Sequence, residues 1–109
     1  MTDAVSRFKA EKVDGRKHFA RLRRGICCRP GCMNQDLVVH HDRHSNEAGT
    51  GLKPPPWTCV GICTYDHAIL HQRGRDTCER EWGIDFAMIA RGEAMVSRGM
   101  GLLPREEQS

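Results

Sequence analysis

The sequence is poor in aromatic residues and has no long apolar run. Its 109 residues carry only six aromatic side chains: Phe8, Phe19, Trp57, Tyr65, Trp82 and Phe86. A chain this short forms one small domain with a limited core. So few large rings leave that core in need of a staple, either disulfides or a metal ion. No stretch approaches the roughly 20 apolar residues of a membrane span. The first residues, "MTDAVSRFKAEKVDGRKHFARLRRG", hold no apolar segment of the kind that directs secretion. The expectation is a cytoplasmic protein with no membrane partner, whose thiols stay reduced. The chain contains no internal repeat and no low-complexity segment.

What the sequence does hold is cysteine and histidine, six of each. In a reducing compartment, cysteines mixed with histidines read as metal ligands rather than as disulfides. The net charge of +3 is unevenly spread: residues 1–30 carry nine Lys and Arg against three acids, a local balance of +6. Such a segment is either a solvated helix face, the reading charge alone favours, or a surface for a polyanion such as nucleic acid.

Element by element, residues 4–24 predict a helix broken near Gly15 and closed by Gly25. The Pro-Gly of "CCRPGC" marks a tight turn. "DLVVHH" reads as a short strand, residues 45–56 as a loop, and "WTCVGIC" as a second strand. "TYDHAILHQ" and "RDTCEREWG" read as helices, the second stopped by Gly83. Asp85 caps a last one, "FAMIARGEAMVSR", despite Gly92. The tail "GLLPREEQS" is expected to fray. The chain divides into a basic helical segment (1–25), a central domain (26–90) and a C-terminal helix end with its tail (91–109).

Two constellations carry chemistry. His67 and His71 are four apart, hence on one helix face, where two imidazoles can bind one divalent cation. His40 or His41, at the end of the first strand, can supply a third ligand. Consecutive strand residues point to opposite sides, so one would bind metal while its neighbour acts as a base. The second constellation is cysteine-based. Cys28 and Cys32 flank the Pro-Gly turn, and Cys59 and Cys63 flank the second strand. Brought together by a hairpin, such pairs make a closed tetrahedral zinc site. Cys27 can replace Cys28, and Asp66 can replace Cys59. Cys78 and Trp82 read as core, His18 as structural or surface, and His44 as a loop residue. Lys53, Arg43, Arg24 and Arg29 are candidate phosphate contacts, which would make affinity salt-dependent and indifferent to sequence.

The order of cysteine turn, strand, His-His, loop, strand, Cys and helix with His-x3-His resembles the ββα-metal nucleases, the HNH or His-Me finger group, over roughly residues 26–72. The segments "HFARLRRGICCRPGC", "VVHHDRH" and "GTGLKPPPWTCVGICTYDHAILHQRGRDTCEREWGID" are similar to small phage and prophage HNH-like proteins, including the family of the phage recombination enhancement nuclease. The resemblance implies an α+β fold with a ββα-metal core, a zinc-stapled β-hairpin and flanking helices. It implies a DNA endonuclease of phage or prophage origin, working in a bacterial cytoplasm. His41 would be the general base. His40, His67 and His71 would hold Mg²⁺ or another divalent ion, and Cys28 (or Cys27), Cys32 and Cys63 a structural zinc. DNA is the implied partner, and a recombination protein a second one. Cutting both strands takes two active sites, hence the thought of a homodimer. Two positions depart from the pattern. Asp66 stands where many members have a second cysteine or a histidine. The middle Asn, which steadies the base, is absent near Thr58. These departures leave a competing reading, a non-catalytic zinc module that binds DNA or a partner.

Overall fold

The computed structural model describes residues 13–42 and 55–105. Within them the chain is α+β: a two-stranded antiparallel hairpin and four helices. In chain order these are α1 (Arg16–Arg23), β1 (Leu37–His41), a 3-10 turn (Pro56–Thr58), β2 (Cys59–Cys63), α2 (Thr64–Arg73), α3 (Arg75–Trp82) and α4 (Phe86–Gly99).

β1 forms where Leu37, Val38 and Val39 supply branched side chains suited to a pleated, half-buried surface. It pairs with β2 in the register Leu37↔Cys63, Val39↔Gly61 and His41↔Cys59. Alternation then sends Cys59, Gly61 and His41 to one face, and Val60, Ile62 and His40 to the other. α1 lies on the first face so closely that a Cβ at Gly61 would sit 2.8 Å from the Leu22 carbonyl oxygen. Only glycine permits that crossing. On the second face Val60, Ile62, Leu70, Phe86 and Ala90 form the buried core, with Cys78 filling a small gap in it.

The helix ends follow their sequence signals. Asp85 caps α4, its Oδ1 accepting from the Met88 amide at 3.1 Å. Gly83 closes α3 in the left-handed region. α4 runs on through Gly92 and across residues 90 and 91 to Gly99. The Glu79 carboxylate accepts from the Phe86 amide at 2.8 Å and so ties α3 to α4.

Three expectations change. α1 begins at Arg16, and its cap is Arg24, whose ordinary backbone angles do not require Gly25. Residues 4–12 of the expected helix lie outside the described residues. Trp57 and Thr58 belong to a 3-10 turn, since Pro56 at its first position fixes φ and Thr58 donates back to the Pro55 carbonyl. The tail does not fray at once: Leu103 is buried and the Leu102 amide bonds the Ser97 carbonyl. His18 proves fully buried, its Nδ1 2.6 Å from Ser97 Oγ. Among the described residues no helix is long and apolar enough to cross a membrane.

Candidate metal centres

The first centre forms where the cysteine turn meets the start of α2. Cys63 is both the last residue of β2 and the cap of α2, its Sγ accepting from the Asp66 amide at 3.3 Å. One helical turn on, the Asp66 carboxylate faces back to the same sulfur: Oδ2 lies 3.2 Å from Cys63 Sγ and 3.4 Å from Cys27 Sγ. Cys32 Sγ lies 3.8 Å from Cys63 Sγ. The four ligand atoms of Cys27, Cys32, Cys63 and Asp66 all fall within 4.8 Å of one another.

The donor set fits zinc. Zn–S bonds of about 2.3 Å place two sulfurs of a tetrahedron about 3.8 Å apart, and a sulfur and an oxygen about 3.5 Å apart. The spacings above match both edges. Of the two adjacent cysteines the geometry selects Cys27, not Cys28. The Cys28 amide is bonded to the Gly61 carbonyl at 2.9 Å, which pins the turn to β2. Cys27 is buried against the cluster, whereas Cys28 is half-buried and outside it. Cys59 sits at the far end of β2, about 13 Å along the strand at the usual rise, and does not join the four.

Around this centre the carboxylate is ionised and the thiols hold their protons. Burial pushes the Asp66 carboxyl upward, but hydrogen bonds from Arg29 and the thiols of Cys63, Cys32 and Cys27 outweigh it, so the group ends below the ordinary carboxylate range. Arg29 holds Oδ1 at 2.8 Å and leaves Oδ2 to the sulfurs. The Arg29 guanidinium also stacks 5.1 Å from the Trp82 ring centroid. Burial pushes the Cys27 thiol far up. Zinc binding would therefore release protons from the thiols.

The second centre is imidazole-based. His67 and His71 on α2 have their Nε2 atoms 3.1 Å apart. Metal–nitrogen bonds of about 2.1 Å place neighbouring ligands about 3.0 Å apart in an octahedron and about 3.4 Å in a tetrahedron. The observed spacing falls between the two. His40 comes from β1, its ring centroid 5.3 Å from that of His67 and 6.1 Å from that of His71. The three residues again offer ligand atoms within 4.8 Å of one another. Burial, helped by the neighbouring His67, pushes His40 down to about 4, and burial with His71 lowers His67. Both are thus neutral at pH 7, the form that ligates metal. His71 is exposed, so the cluster opens to solvent on one side.

His41 does not join this cluster. It occupies the opposite face of the hairpin, with Nδ1 3.1 Å from Cys59 Sγ and its ring 5.7 Å from that of Phe19. No protein-family model matches the chain, and neither a curated protein nor a solved structure does.

Of the candidate phosphate contacts, Arg24 is exposed at the end of α1 and Arg29 is taken up by Asp66. Arg43, His44 and Lys53 lie outside the described residues. Two partnerships were missed in the sequence. Asp42, next after the histidine pair, is buried and held at both oxygens by Arg75, at 2.7 and 3.2 Å. The Cys59–His41 contact is the other. Its signal was present: an antiparallel register aligning Leu37 with Cys63 necessarily sets His41 opposite Cys59.

Proposed function

We propose that the protein is a metal-dependent endonuclease that hydrolyses DNA phosphodiester bonds on a ββα-metal core. The observation that carries this reading is the open three-imidazole cluster of His40, His67 and His71. It is built from a strand end and the helix that follows the hairpin, with a further histidine next in the chain.

His40, His67 and His71 would hold a divalent ion, and Cys27, Cys32, Cys63 and Asp66 a structural zinc that fixes the hairpin to α2. A divalent ion, when bound, supplies charge neutralisation at the scissile phosphate and at the departing 3′ oxygen. His41 would take a proton from the attacking water as its oxygen bonds to phosphorus and the P–O3′ bond breaks. Three imidazoles suit Zn²⁺ and Ni²⁺ by softness, whereas Mg²⁺ is the hard-ion alternative. A role in phage recombination or DNA processing, and any recombination-protein partner, rests on the sequence resemblance alone.

The test is supercoiled plasmid incubated with the protein in EDTA, Mg²⁺, Mn²⁺, Ni²⁺ and Zn²⁺, beside His41→Ala. The expected result is nicking that needs an added ion and falls about 10²- to 10⁴-fold in the variant, the usual worth of a general base. Plasmid binding without cleavage in any ion would favour the non-catalytic zinc module.

A further inference from the structure

One face of α4 closes the core, with Phe86 and Ala90 buried in it. The opposite face of such a helix is ordinarily polar and charged. Here its exposed positions are Met88, Arg91, Gly92, Met95, Val96 and Gly99, with a single charge among them. Gly92 is the least expected of these, because a glycine inside a helix weakens it relative to alanine. Neither Gly92 nor Gly99 has a positive φ, and a Cβ at either would meet nothing within 4 Å among the described residues. Gly61 is different, since the Leu22 carbonyl fills the space its missing side chain leaves. No backbone angle or contact of the described residues accounts for the two glycines of α4.

Met88, Gly92, Met95 and Gly99 follow one line along the helix and alternate large with small. An identical helix laid parallel on that line would set each methionine against its own copy and each glycine against a gap. An antiparallel copy, with a two-fold axis between residues 93 and 94, sets Met88 opposite Gly99 and Met95 opposite Gly92. The two-fold repeats both pairs, so every methionine enters the notch of a glycine, where bare Cα atoms allow close approach. A patch complementary to itself is the mark of a two-fold interface, which favours a second copy over a foreign chain. We propose that α4 is the interface of a dimer of this chain, built on reciprocal Met88–Gly99 and Gly92–Met95 pairs. The inference stands apart from the nuclease reading. His40 meets α4 through Phe86, 6.0 Å away on the buried face, so the imidazole cluster lies on the side away from the interface. The 14 residues of α4 span about 21 Å, a smaller face than the ~800 Å² per partner of a standard interface, so the dimer is a weak one. Arg91 borders the stripe, and the two-fold brings it beside its own copy, a repulsion that salt screens.

The experiment uses the zinc-loaded full chain from about 1 to about 500 µM, a range that brackets a weak dimer. Sedimentation velocity reads the mass, and spectra of ¹³C-methyl methionine read the surface. The expected result is a monomer–dimer equilibrium that tightens as salt rises. The Met88 and Met95 methyl signals should move with concentration, while that of Met33, exposed on the cysteine turn, stays fixed. Gly92→Leu supplies two readouts of opposite sign. Leucine is the better helix former and has open space in the single chain, so the dilute variant should melt higher than wild type. The same side chain fills the notch meant for Met95, so dimerisation should weaken about 10-fold or more. A monomer at every concentration overturns the proposal, and that result needs no variant to fold. A dimer that Gly92→Leu leaves intact, or that added salt dissociates, also overturns it. So do Met88 and Met95 methyls shielded from a soluble paramagnetic agent at every dilution, since another part of the chain would then cover the stripe. None of these outcomes bears on plasmid cleavage, so the nuclease reading stands or falls separately.

Discussion

His40 and His41 are consecutive residues whose rings lie on opposite faces of the same hairpin: His40 packs 5.3 Å from His67, while His41 Nδ1 sits 3.1 Å from Cys59 Sγ. Strand alternation alone produces this division. It gives two chemically identical side chains separate surroundings, one among imidazoles and one against a buried thiol.

Zinc content should separate Cys27 from Cys28. Cys27→Ser removes a ligand whose sulfur lies against Asp66 Oδ2, so the purified variant should lose its zinc and melt at least ~10 °C lower, since structural metal binding is folding free energy. Cys28→Ser, outside the cluster, should keep one zinc per chain and a melting temperature close to wild type. Metal analysis with thermal denaturation checks both.

The choice between those neighbours shows where sequence reading stops. "CCRPGC" placed a cysteine site at the turn, and the i, i+4 spacing placed His67 and His71 together. The caps at Gly83 and Asp85 were equally plain, because each is a local signal. Cys27 over Cys28 is decided by a bond from the Cys28 amide to Gly61 on β2, which depends on how the turn docks. Asp42 and Arg75 are 33 positions apart and meet only once α3 has packed beside the end of β1. The buried Leu103 was likewise hidden, since its partners come from the tertiary fold.

Acid should weaken the fold through His18. Burial, with Arg21 and Arg98 nearby and Glu93 opposing them, pushes its pKa from 6.5 down to about 4. The native state therefore stays neutral where the unfolded chain takes a proton. Stability from this group is complete above pH ~6.5 and is lost as pH falls toward ~4, by up to about 3 kcal/mol. Urea unfolding at a series of pH values should show this slope in wild type, and His18→Gln should flatten it.

Arg75 should matter for stability out of proportion to its surface position. Its guanidinium, 21% exposed, holds both oxygens of Asp42, which is 1% exposed. Arg75→Ala withdraws that cation from a buried carboxylate and should cost about 3 kcal/mol, the low end for breaking a buried pair. Denaturant unfolding measures it. A cost under about 1 kcal/mol would make the contact an ordinary surface pair.

The central claim is that the His40, His67 and His71 cluster holds the ion on which DNA cleavage depends. Calorimetric titration of Mn²⁺ and Ni²⁺ into zinc-loaded protein, with plasmid cleavage followed in the same samples, tests it directly. The comparison is the double variant His67→Ala, His71→Ala. The account predicts one further ion per chain, cleavage that rises with its occupancy, and loss of both in the double variant while the zinc remains. Cleavage that survives in the double variant, or a fully occupied site that cleaves nothing, would contradict it.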